Sequence, residues 1–195
     1  MDIEALLRNQ TDRLRGLDFL EVVGADQHGF DPDLVHHSAP SGGGDLVRIF
    51  KDLDVAPSAR LLDIGCGRGS AIRAILKLPF QQVDGLELIP ELAAIAKNNF
   101  RLLKAHRTSI HLADATTFNG YGEYSHFYMY NPFPAAVMAQ CIAKILTARD
   151  ATEAPTTLIY VNPLCDSTIM ATGRFRRTDA GRQVRGKQVL VYRSN

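Results

Sequence analysis

Ten consecutive residues constrain this chain more than any other feature: Leu61-Leu62-Asp63-Ile64-Gly65-Cys66-Gly67-Arg68-Gly69-Ser70. An apolar run of strand character enters a loop with glycines at alternate positions, and a helical pattern leaves it. Glycines serve such a tight turn because it needs unusual dihedrals and lets backbone approach a bound group closely. A glycine-rich turn with no ligand is the alternative. Either way, a strand feeding a helix through a short turn belongs to chains that alternate the two.

The sequence after Pro57 does alternate. Strands are predicted at Arg60–Ile64, Gln82–Glu87, Ser109–Ala113, Ser125–Tyr130 and Thr157–Val161, with helices at Ser70–Leu78, Pro90–Lys104 and Ala135–Ala148. Pro90 suits the first turn of a helix, where its missing N–H is not needed. Ile95, Phe100 and Leu103 are expected on that helix's buried side. This order implies a mostly parallel sheet with helices on both faces. The tail breaks the rhythm: Arg174–Thr178 and Gln188–Arg193 read as two strands around Asp179-Ala180-Gly181, an antiparallel hairpin. Upstream, residues 2–20 suggest an amphipathic helix carrying Ile3, Leu6, Leu7, Leu14 and Leu17. Residues 24–44 read as loop, and Leu46, Ile49, Phe50 and Leu53 restore a helical period. The expected division is a helical and loop extension over residues 1–55, covering the site, and a sheet domain over 56–195.

At 195 residues there is room for one domain with an extension, but not for a second large domain that reads a substrate. An apolar share of 46% excludes disorder as the main state, and a net charge of +1 argues against a polyanion binder acting by bulk charge. Cys66, Cys141 and Cys165 form no CxxC pair, so neither a disulfide framework nor a cysteine metal site is indicated. The charged start lacks a signal-peptide core, and no apolar run approaches the roughly 20 residues that span a bilayer. A cytosolic protein with reduced thiols is the expectation.

The glycine spacing separates two nucleotide-binding patterns. A dinucleotide fingerprint is GxGxxG, whose third glycine would fall where Ser70 stands. The chain instead has GxGxG preceded by Asp63, and Glu87 closes the second strand 20 residues beyond Gly67. A carboxylate at that tip can accept both ribose hydroxyl hydrogens. With His111-Leu112-Ala113-Asp114-Ala115 at the end of the third strand, these motifs resemble the class I S-adenosylmethionine (SAM) methyltransferases. The resemblance spans roughly residues 58–193. It implies a three-layer, Rossmann-like α/β fold, with a mostly parallel seven-stranded sheet ending in an antiparallel hairpin. It also implies a SAM site of Asp63, Gly65, Cys66, Gly67, Gly69, Glu87, Leu88, Asp114, Ala115 and Asn131. Asp114 would then meet the adenine amino group; an Asp starting an ordinary turn is the alternative.

The fourth strand ends in Tyr128-Met129-Tyr130-Asn131-Pro132-Phe133-Pro134. The turn is similar to the Asn-Pro-Pro-Tyr motif of enzymes that methylate planar nitrogens, but Phe133 stands in place of the second proline. A shorter similarity links it to class I histone-lysine methyltransferases. Asn131, Pro132 and Phe133 are therefore the candidate catalytic residues, against a rigid turn that merely closes the cleft. Tyr128 and Tyr130 could be polar partners or core. No strong base adjoins Asn131, which suggests an acceptor that ionises unaided. His28, His36 and His37 lack the spacing of a metal site. Ser41, in the Gly-rich stretch, could meet the SAM carboxylate. Seven basic residues between Arg174 and Arg193 face one acid, Asp179; such a hairpin either meets phosphate or is an edge kept soluble by charge. The expected activity is SAM-dependent transfer to a nitrogen of a protein side chain. A small-molecule amine as acceptor, or a SAM-binding module without catalysis, are the alternatives. Nucleic acid is not favoured as a partner and no membrane is implied.

Overall fold

The computed structural model describes residues 10–19, 41–53, 55–150 and 155–194. Seven strands, β1 (Arg60–Ile64), β2 (Gln82–Glu87), β3 (Ile110–Leu112), β4 (His126–Tyr130), β5 (Thr157–Val161), β6 (Phe175–Val184) and β7 (Lys187–Ser194), form one sheet. Their spatial order is β3-β2-β1-β4-β5-β7-β6. The first five pair in parallel, and β7 runs antiparallel to both β5 and β6. Helices α1 (Gly44–Lys51), α2 (Ser70–Ile75), α3 (Pro90–Leu102), α4 (Ala135–Asp150) and α5 (Asp166–Met170) connect and cover it.

Strand periodicity sorts side chains onto two cores, because successive Cβ atoms point to opposite faces. Leu61, Tyr128, Ile159 and Val161 join residues of α1 and α2 on one face. Leu62, Ile64, Phe127, Met129, Leu158 and Tyr160 meet Met138, Cys141, Ile142 and Ile145 of α4 on the other. Both faces of the central strands are therefore apolar, as the near-continuous hydrophobic runs required. The described part of the first 55 residues is not a separate layer: Leu17, Phe19, Leu46, Ile49, Phe50 and Leu53 belong to the same cluster as Leu61.

Several boundaries differ from the sequence reading. Helix α2 stops at Ile75 rather than Leu78, because Pro79 disfavours helical dihedrals at the residue before it. Arg107 closes that end, donating to the carbonyls of Leu76 (2.5 Å), Leu78 (3.3 Å) and Phe80. The buried stripe of α3 is Leu92, Ala93, Ala96, Asn99 and Phe100; Ile95 and Leu103 are only partly covered. Of the amphipathic stripe expected over residues 2–20, Ile3, Leu6 and Leu7 lie outside the described residues. Residues 10–14 are helical, yet Leu14 is 90% exposed. Gly16, at φ 71, turns the chain so that Leu17 and Phe19 enter the core instead. The hairpin turn is Arg185-Gly186, not Asp179-Ala180-Gly181. A two-residue hairpin loop wants positive φ at both positions, and these have 50 and 74. Residues 179–181 instead lie within β6, where the register with β7 shifts. The short α5 and a 3-10 turn at Tyr121–Glu123 had no clear signature in the sequence.

Candidate functional site

The strand order reverses at β1, which lies between β2 and β4, so the carboxyl ends of β1 and β4 flank a topological switch point. The glycine loop leaves β1 there. Gly65, Gly67 and Gly69 have φ of 75, 53 and 86, a region that L side chains rarely adopt. Space forbids a side chain as well. A Cβ on Gly65 would sit 2.7 Å from Cβ of Pro132, and one on Gly69 2.5 Å from the Phe100 ring. The loop also lies flat on β2, since a Cβ on Gly85 would come within 2.5 Å of the Cys66 sulfur.

Glu87 holds the loop in this shape. Its Oε2 accepts from the Gly67 N–H at 2.8 Å, and its Oε1 accepts from the Ile89 N–H at 2.9 Å. The Leu86 carbonyl accepts from the N–H groups of Gly65 and Cys66 at 2.9 and 3.1 Å. Asp63, one turn of the pleat before the loop, is 2% exposed. Burial, then the neighbouring Glu87 charge, holds its carboxyl well above the usual carboxylate range. Burial and the same two carboxylates push the Cys66 thiol up, which makes it an inert small side chain rather than a nucleophile.

Polar contacts from residues 12–19 and Asn99 fix the loop from a further side. The Asn99 amide donates to the carbonyls of Arg68 (3.1 Å) and Asp18 (2.6 Å), while its oxygen accepts from the Asp18 N–H at 2.9 Å. Arg68 pairs with Asp18, and Arg73 makes a two-point pair with Asp12 at 2.5 and 2.9 Å. Sequence reasoning missed Asn99 and Arg68. The signal was there in Asn99, a polar residue in phase with Leu92 and Ala96 on an otherwise apolar stripe. Ser41 is placed beside α2: its N–H and that of Gly42 donate to the Ser70 hydroxyl at 2.9 and 3.2 Å.

The remaining candidates divide. Leu88 is half-buried beyond β2, and the Ala113 N–H joins the ends of β3 and β2 by donating to the Glu87 carbonyl at 3.0 Å. Asp114 is exposed and caps a turn, its Oδ1 accepting from the Thr116 N–H (2.7 Å) and hydroxyl (2.8 Å). The Ala115 carbonyl accepts from the Tyr121 hydroxyl at 2.7 Å. Asn131 follows β4 with φ 39, and its Oδ1 accepts from the Tyr160 hydroxyl at 2.9 Å. Tyr160 in turn accepts from the Cys165 N–H at 3.3 Å. Its importance was hidden in the sequence, because Tyr160 sits in a strand that otherwise reads as plain core. Pro132 abuts Gly65, so the β4 turn and the glycine loop are one unit. Phe133 is buried in the α4-side core, away from the exposed position that stacking on an acceptor calls for. Tyr128 is likewise core, and Tyr130 is half-buried.

His28, His36 and His37 lie outside the described residues. The basic hairpin is less unbalanced than its sequence suggests. Arg174 pairs with Asp150, Arg177 with Asp166 and Arg182 with Asp52. No described helix is long and apolar enough to cross a membrane.

Three solved structures show how general this framework is. Magnesium protoporphyrin IX methyltransferase from Synechocystis PCC 6803, solved with bound SAM, is 15% identical with a TM-score of 0.60, covering 77% of this chain and 76% of its own. A SAM-dependent methyltransferase from Aquifex aeolicus is 12% identical with a TM-score of 0.60, covering 76% of this chain and 88% of its own. A Glu-to-Gln mutant of MtNAS in complex with SAM is 15% identical with a TM-score of 0.60, covering 77% of this chain and 62% of its own. At these identities the likeness is one of fold, the Rossmann-like class I methyltransferase fold. No curated protein matches the chain in sequence. Residues 35–148, which contain the glycine loop, Glu87, Asp114 and the Asn131 turn, match the protein-L-isoaspartate(D-aspartate) O-methyltransferase (PCMT) family. With that stretch spanning more than half of the sequence, the chain belongs to this methyltransferase family.

Proposed function

We propose that the protein is a SAM-dependent methyltransferase acting on a nitrogen of a protein side chain. The closure of the glycine loop on Glu87 carries the cofactor reading. Bare, left-handed backbone and a buried carboxylate stand together at the carboxyl ends of β1 and β2, with Gly65 and Gly69 packed so closely on Pro132 and Phe100 that no side chain fits there. These residues fit SAM. Gly65, Cys66, Gly67 and Gly69 would take its amino-acid part with Asp63 nearby, Glu87 its ribose hydroxyls, and Leu88, Asp114 and Ala115 its adenine. The SAM bound in the similar Synechocystis fold supports this assignment. When bound, the cofactor supplies a sulfonium methyl open to in-line displacement.

The chain's own part is positioning and exclusion of water. Asn131, locked by Tyr160 and set beside the Pro132–Gly65 contact, offers a fixed carboxamide to target N–H groups. A second reading follows from the family, whose name gives a protein isoaspartyl carboxylate as acceptor and therefore an oxygen. Incubation with methyl-labelled SAM and fractionated extract separates them. Label on protein that survives mild base supports nitrogen, whereas base-labile label released as methanol supports a carboxyl ester. Label in small molecules would overturn the protein acceptor. Asn131→Ala is expected to abolish turnover and spare much of the SAM affinity; full activity in that variant would sink its catalytic role.

A further inference from the structure

A cleft of about 780 Å³ opens in the groove between α1 and α2. It begins at Gly42 and Ser70, directly after the loop, and runs along both helices. Its rim is cationic. Arg48 and Lys51 stand at i, i+3 spacing on α1, Arg73 and Lys77 at i, i+4 on and just beyond α2, and Arg185 of the hairpin turn closes the Gly42 end. Among the described residues, Asp12 is the one carboxylate in the lining, and it is already committed to Arg73. Among the described residues, Lys51, Lys77 and Arg185 have no carboxylate within ion-pair distance. The floor is apolar, formed by Phe19, Val47 and Ala74, with the Arg73 guanidinium 4.7 Å over the Phe19 ring.

We propose that this groove docks an acidic segment of the acceptor protein. The inference rests on the reading of the chain as a protein methyltransferase, and it names the substrate class: proteins with Asp- or Glu-rich sequence near the methylated residue. Charge complementarity selects an anionic partner, and the groove starts at Ser70, the residue that follows the glycine loop. The apolar floor favours a peptide, whose side chains can fill it, over a phosphate polymer. With a net charge of +1, the chain also lacks the bulk field that drives nucleic-acid binding. An electrostatic site of this kind should weaken steeply with salt.

The test uses the full chain and a fluorescein-labelled peptide of alternating Glu and Gly, read by anisotropy. The wild type should bind this peptide and not its Lys-Gly counterpart. Lys51→Glu combined with Lys77→Glu should weaken binding by about tenfold or more. Both lysines are exposed, and unchanged SAM affinity of the double variant in calorimetry verifies its fold. Excess unlabelled peptide should also lower methyl transfer to the protein fraction in the wild type and not in the variant. Absence of peptide binding, equal binding by the double variant, or no competition with transfer would overturn the proposal. So would tighter, Lys51- and Lys77-dependent binding of single-stranded oligothymidylate, which would make the groove a nucleic-acid site. Failure of the wild type to bind SAM while the peptide still binds would instead remove the methyltransferase reading and leave the groove as an acidic-peptide site.

Discussion

Glu87→Gln tests the claim that one carboxylate shapes the cofactor loop. The substitution keeps size and geometry but exchanges one acceptor oxygen for an amide NH2. Glu87 accepts from two backbone donors, Gly67 N–H at 2.8 Å and Ile89 N–H at 2.9 Å, so one of them must then face a donor. Leaving a buried N–H unsatisfied costs about 1–3 kcal/mol, and the surviving bond loses its charge assistance. Relief of the repulsion with Asp63 offsets part of this loss. The expected net destabilisation is about 2 kcal/mol. With a urea m-value of about 2 kcal/mol/M, the midpoint should fall by about 1 M. Because the chain has no Trp, the transition is best followed by far-UV circular dichroism. SAM affinity should fall in parallel, measured by calorimetry. An unchanged midpoint, within about 0.5 kcal/mol, would refute the argument that Glu87 holds the loop, whatever happens to the cofactor.

Gly69→Ala, at φ 86 and with the Phe100 ring 2.5 Å from its new Cβ, should cost about 1–3 kcal/mol in urea melts. Gly44→Ala, with nothing near its Cβ at the start of α1, should be neutral or stabilising. Acid should expose two opposed linkages. His126, lowered to about 4 by burial and then by Arg193 and Arg149, stays neutral when folded. It therefore contributes stability that is lost as pH falls from about 6.5 toward 4, and His126→Gln should flatten that loss. Asp63 has the opposite sign: its raised folded value makes stability fall as pH rises above about 3.8, so Asp63→Asn should stabilise the protein at neutral pH and lose that advantage in acid. Finally, all three thiols are buried, with Cys141 pushed up to about 12, so Ellman's reagent should label none of them until the chain unfolds. Rapid labelling of native protein would contradict the core assignment.

Local patterns in the amino-acid sequence were enough to specify the layered fold and the location of the cofactor loop. Period-two and helical patterns are local, and a GxGxG turn declares its own backbone needs, so Arg60–Ile64, Gln82–Glu87 and Thr157–Val161 could be delimited residue by residue. The acidic tip at Glu87 was legible for the same reason. Features that depend on partners distant in the chain were not. The chain turns at Arg185-Gly186 and not at Asp179-Ala180-Gly181, because composition suggests turns while strand pairing selects among them. Leu14 matched a helical stripe, yet Gly16 swung the chain so that Leu17 and Phe19 were buried instead. That Phe133 is buried on the α4 side, and that the core residue Tyr160 meets Asn131, 29 residues away, both depend on packing between distant elements. Asn99 shows the limit most plainly. Only in three dimensions does it join Arg68 and Asp18, since a buried amide is tolerated where its donors and acceptors find partners. Which polar groups are satisfied, and so which side chains remain to meet a ligand, is a property of the packed chain that local patterns do not contain.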